Sequence, residues 1–191
     1  MTLNDWPGRR RAESLRQWPI LQALAGRVEE LDAIDGLIIL GSFAAGNPDE
    51  LSDIDVWVVV ARGGFQETWA DRHRLADDSL VSWGSHPEPD FGFYKWLTRD
   101  VVKVECCIID PSSGSRELAD PCIVLVGDRS LIDRFPRITR AELAERNRKQ
   151  RDEQKVPEDD SELTYGELID WKLSELKRAV RRGLRENATP S

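Results

Sequence analysis

The feature that most constrains this chain is an alternation between residues 53 and 61. Ile54, Val56, Val58 and Val60 fall on one side of an extended backbone, and Asp53, Asp55, Trp57 and Val59 on the other. Strand side chains alternate with period two, so this segment is a strand with one wholly apolar face turned to a core. Its second face begins with two carboxylates. Like charges at i and i+2 on one side repel each other unless a cation neutralises them, and paired carboxylates are a hard oxygen site for Mg²⁺.

The same logic recurs at 101–109, where Val102, Val104, Cys106 and Ile108 are all apolar while Val101, Lys103, Glu105, Cys107 and Ile109 form the opposite face. Pairing of the two strands would bring Glu105 to Asp53 and Asp55. Three such acids hold two divalent metals, which stabilise the attacking and leaving oxygens of an in-line phosphoryl displacement. Upstream, Leu37, Ile38, Ile39 and Leu40 form a short, wholly apolar run that marks a buried central strand, and Gly41 and Ser42 follow it directly. A glycine there lets backbone amides approach an anion, and a following helix start adds partial positive charge, so Gly41 and Ser42 are candidates for holding a triphosphate.

Gly41-Ser42, a gap of ten residues, then Asp53-Ile54-Asp55 resembles the nucleotidyltransferase superfamily that includes DNA polymerase beta, in particular its small members and the antibiotic nucleotidyltransferases. The resemblance covers 37–109. It implies an α/β (α+β) domain, a mixed β-sheet with helices on one face. It further implies that Gly41 and Ser42 contact the triphosphate, that Asp53 and Asp55 bind both metals, and that Glu105 is the third ligand and a proton acceptor. The implied cofactor is Mg²⁺ or Mn²⁺, and the co-substrate a nucleoside triphosphate, ATP in the first instance. The chain departs from the pattern at Ala45, where many relatives place an arginine or another polar residue. The implied reaction transfers a nucleoside monophosphate, AMP from ATP, to an acceptor hydroxyl and releases pyrophosphate. The alternative is a non-catalytic regulator of the same fold, antitoxin-like, that binds a nucleotide or a partner. The intact carboxylates weigh against it, because unneeded like charges only destabilise a fold.

Composition narrows the acceptor. Residues 1–136 carry 14 basic and 23 acidic side chains, a charge of −9, while 137–191 carry 13 and 12, a charge of +1. An acidic domain repels phosphate backbones, so nucleic acid is disfavoured as a partner without being excluded, and a small cationic acceptor is preferred over the alternatives of a protein side chain or an RNA end. The expected organisation is a nucleotidyltransferase domain over 1–136 and a helical extension over 137–191. A 191-residue chain with 40% hydrophobic residues can bury a real core. Its apolar runs are far shorter than the ~20 residues a membrane span needs, and residues 1–11 lack an apolar signal region, so the expected location is the cytoplasm.

Helical spacing predicts an amphipathic helix over 19–32 and a helical stretch over 65–78. Strands are predicted over 80–83, 91–97 and 122–126, with a proline-rich loop at 87–89. A charged helical or linker stretch is predicted over 137–158, and Thr164 with Glu167 makes a capping box for a last helix. That helix carries an apolar stripe of Ile169, Leu173, Leu176, Val180 and Leu184, which the catalytic domain is expected to cover, a second copy being the alternative. Cys106, Cys107 and Cys122 show no CxxC spacing and read as inert buried thiols. His73, Lys95 and Lys103 read as solvated, and His86, Glu88 and Asp90 as a plain turn.

Overall fold

The computed structural model describes residues 6, 8–77, 79–114, 116–153 and 164–187. Its strands are β1 (Ile34–Ile39), β2 (Ile54–Val60), β3 (Ser79–Glu88), β4 (Phe91–Thr98), β5 (Lys103–Ile109), β6 (Leu118–Ala119), β7 (Ile123–Val126) and β8 (Arg137–Ile138). The helices are α1 (Arg9–Glu13), α2 (Gln17–Glu29), α3 (Gly41–Ala44), α4 (Phe65–Ala70), α5 (Arg140–Glu153) and α6 (Tyr165–Asn187). Six strands form one mixed sheet in the order β3-β4-β5-β2-β1-β7, in which β2 and β5 are the parallel pair and the other neighbours are antiparallel.

The apolar alternation decides which face takes the helices. Ile54, Val56 and Val58 of β2 and Val104, Cys106 and Ile108 of β5 are buried in one cluster with Leu21, Leu24 and Val28 of α2 and Phe65 and Trp69 of α4. Each fully buried Val or Ile contributes about 1.5–3 kcal/mol over an exposed one. The opposite face is closed at one end by Leu118, Leu131 and Phe135, which pack on Ile38, Val59 and Ile109. The mixed sheet with helices on one side is the fold that the resemblance implied.

Several boundaries differ from expectation for local reasons. β3 runs through Pro87 instead of yielding to a loop, because it is an edge strand whose register shifts between Ser85 and Glu88, where a missing N–H costs nothing. β5 begins at Lys103 and not at Val101, which turns the chain from β4 with a left-handed φ of 57°. The helical stretch from Phe65 breaks after Ala70 into a tighter turn over Arg72–Ala76, and residue 78 lies outside the described residues. By contacts the chain divides into 1–148 and 149–191. The stretch 137–148 therefore goes with the first unit, because β8 pairs in parallel with β6.

Within the second unit, Thr164 and Glu167 close a reciprocal cap. The Thr164 N–H donates to Glu167 Oε2 at 2.9 Å and the Glu167 N–H to Thr164 Oγ1 at 3.4 Å. The side chain of Leu184 and residues 154–158 lie outside those described. Among the described residues no helix is long and apolar enough to cross a membrane.

Candidate active site

The parallel register of β2 and β5 sets Asp55 directly opposite Glu105, and the antiparallel register of β4 and β5 sets Lys95 on the other side of Glu105. Asp53 immediately precedes β2 and projects to the same side as Asp55. Three carboxylates from two neighbouring strands therefore share the face turned away from the helices. Two ammonium groups join them. Lys103 Nζ lies 3.6 Å from Asp53 Oδ2 and is hydrogen-bonded to Glu105 Oε1, while Lys95 Nζ lies 3.7 Å from the same Glu105 oxygen.

Lys103 corrects the expectation of a solvated lysine, since its side chain is only 6% exposed. Its parity on β5 matches that of Glu105, a signal that could have found it and was passed over: a cation two residues before an acid on the non-core face. Among the described residues no three acids, thiols or imidazoles form a ready metal cage. The ammonium of Lys103 bridges Asp53 to Glu105 instead.

Gly41 is required twice. Its φ of 62° is left-handed, and a Cβ on it would collide with Asp55 Oδ2. The missing side chain opens a cradle beside the carboxylate, and its hard oxygen donors have the chemistry that a divalent cation needs. The helix after Gly41 is one turn, α3, so the amides of Ser42 and Phe43 offer local N–H donors and not a developed helix dipole. The turn is pinned from both sides. The Leu40 N–H donates to the Asp55 carbonyl at 2.9 Å, and the Trp6 indole donates to the Phe43 carbonyl at 3.0 Å.

The segment leading into Asp53 is held by two residues that the sequence reading passed over. Gln17, fully buried, donates from Nε2 to the carbonyls of Asp49 and Ser52, both at 3.0 Å. Arg16 reaches the Glu50 carbonyl at 3.0 Å and the Asp100 carbonyl at 3.1 Å, which ties the approach to β2 to the turn before β5. Each such bond contributes about 1 kcal/mol net. The signal for Gln17 was its place on the buried stripe of α2 with Leu21, Leu24 and Val28.

A cavity of about 380 Å³ opens over this face, lined by Gly41, Asp55 and Glu105 on one side and by Trp57, Pro121 and Arg140 among its other walls. Its size suits one small molecule. Cys107 also lines it, but burial, then the neighbouring Glu105 charge, push its thiol up to about 12, so it stays protonated and is no nucleophile. Cys106 and Cys122 are buried, as expected of structural thiols.

Residues 21–106 match the family model of the nucleotidyltransferase domain. No curated protein sequence matches the chain. Two solved structures of Cid1, one in complex with its short product ApU and one with the UTP analog UMPNPP, align with TM-scores of 0.37 and 0.36 at 14% identity. The alignments cover 56% of this chain and 31% of the Cid1 chain, so this chain spans about a third of that protein.

Proposed function

We propose that the chain transfers a nucleoside monophosphate, AMP from ATP, to a hydroxyl of a small cationic acceptor, a reading supported by the match of residues 21–106 to the nucleotidyltransferase domain. The observation that carries this reading is the register that sets Asp55 against Glu105 beside the cradle left by Gly41. Asp53, Asp55 and Glu105 would hold Mg²⁺ or Mn²⁺, and the bound cation supplies charge neutralisation at the triphosphate. Gly41 and Ser42 present backbone amides to the phosphates.

In the reaction the acceptor oxygen bonds to the α-phosphorus and the bond from that phosphorus to the bridging oxygen breaks. The electron pair leaves with pyrophosphate, and Glu105 takes the hydroxyl proton. The carboxylates around the cavity, with Asp120 among its lining residues, favour a cationic acceptor over a nucleic acid.

The test incubates the chain and Mg²⁺ with each labelled nucleoside triphosphate in turn. A panel of hydroxylated cationic small molecules serves as acceptors, and products are identified by mass. A nucleotidyl adduct formed with release of pyrophosphate is the expected result. Absence of any adduct across all four nucleotides would sink the reading.

A further inference from the structure

Lys103 is buried at the one place in the site where a cation and a metal ion compete. A buried ammonium is costly unless it is paired, and the partners of Lys103 include Asp53 Oδ2 at 3.6 Å and Glu105 Oε1, by a hydrogen bond. The two carboxylates come from different strands, so the ammonium also links the start of β2 to β5. Asp53 and Glu105 are two of the three proposed metal ligands, and the inference rests on that reading. Oxygens that coordinate a dication cannot keep an ammonium at the same time without placing like charges side by side.

We propose that Lys103 is the tethered counter-cation of this site: it neutralises Asp53 and Glu105 when no metal is bound, and gives up both when a divalent cation binds. Two consequences follow from its place on β5. Bare metal binds weakly, because it must first displace a buried ammonium from the carboxylates it neutralises. The released ammonium then lies on the carboxylate face, where the anionic phosphates of an incoming nucleotide are its natural partners, so nucleotide and metal binding reinforce each other.

The test measures Mn²⁺ binding by the nucleotide-free protein, from the loss of the free-ion paramagnetic resonance signal. Lys103→Met is expected to bind Mn²⁺ about tenfold more tightly than wild type, because the competitor is gone. Lys103→Arg, which keeps the charge, should remain near the wild-type affinity. Asp55→Asn separates the two readings. If Asp55→Asn binds Mn²⁺ as wild type does, the metal-site reading fails. If Asp55→Asn loses binding while Lys103→Met binds no tighter than wild type, the metal site stands and the counter-cation is overturned.

A measurement on the wild-type protein covers the case in which Lys103→Met does not fold. The ¹⁵Nζ resonance of Lys103, assigned by its disappearance in Lys103→Arg, should shift on Mg²⁺ addition with the midpoint of the binding isotherm. A resonance unmoved at saturating Mg²⁺ would show that the ion pair persists and would refute the displacement.

Discussion

On the helix side of β2 and β5, Ile54, Val56, Val104 and Cys106 are buried to 1% exposure or less. One residue along the same strands, on the other side, the Asp53 side chain is 26% and the Glu105 side chain 35% exposed, and Asp55 lines an open cavity. The backbone is common to both sets. Alternation thus separates two kinds of work along a single strand: even-numbered positions remove apolar surface from water, while the odd-numbered positions at the start of each strand, Asp53, Asp55, Lys103 and Glu105, gather charge that stability alone does not require, before Val59 and Ile109 return that face to apolar packing. The difference teaches that changes on the two faces should separate activity from stability.

The largest expected effect is on the charged face. Asp55→Asn should lower the rate of nucleotidyl transfer on the order of 10³-fold, a loss of several kcal/mol of transition-state stabilisation. It should leave the melting temperature unchanged or raise it by relieving like-charge repulsion. Transfer at the wild-type rate would show that the face is not the chemical one. The reverse pattern is expected across the sheet, where Ile108→Ala should cost about 2–5 kcal/mol in urea denaturation. The rate per folded molecule should stay at the wild-type value. A rate that falls with Ile108→Ala under conditions where the variant is fully folded would break the separation.

Gly41→Ala sharpens the comparison, because it strikes both properties at once. A left-handed φ and a collision with Asp55 Oδ2 should together cost about 1–3 kcal/mol of stability. The affinity for a non-hydrolysable nucleotide should fall as well, measurable by calorimetry.

The smallest effect concerns the far end of β5. Asp110 is buried, which by itself raises its carboxyl. Hydrogen bonds from the Ser112 side chain and from the Gly63 and Ser112 amides, with Arg62 nearby, outweigh burial and hold it below its ordinary 3.8. A carboxyl lowered by folding contributes stability above its unfolded value and loses it as pH falls through the folded value. Wild type should therefore lose stability below pH 3.8 more steeply than Asp110→Asn. Equal acid slopes would remove Asp110 from the account.

The legible parts of the fold were those written in local periodicity. The alternation at 53–61 and 101–109 located β2 and β5 and chose their core faces, and the stripe of Leu21, Leu24 and Val28 located α2. Elements whose form depends on a neighbour were less legible. Pro87 reads as a loop residue, yet it lies in β3 because that strand is at the edge of the sheet. Val101 reads as strand, yet the tight turn between β4 and β5 holds it at positive φ. At the site, the sequence pointed to Gly41, Ser42, Asp53, Asp55 and Glu105 but passed over Arg16, whose partners lie 34 and 84 positions away, and Gln17, whose partners lie 32 and 35 positions away.

By itself the sequence determined which side chains share a face, because the two-residue repeat of a strand follows from the covalent geometry of a single segment. Only the tertiary structure decided that Asp55 meets Glu105 in parallel register and that Lys103 is withdrawn from water between Asp53 and Glu105. Register between strands far apart in sequence is set by how every element packs at once. A lysine's fate as solvated surface or buried counter-ion depends on charges that another strand delivers, and no local pattern encodes that meeting.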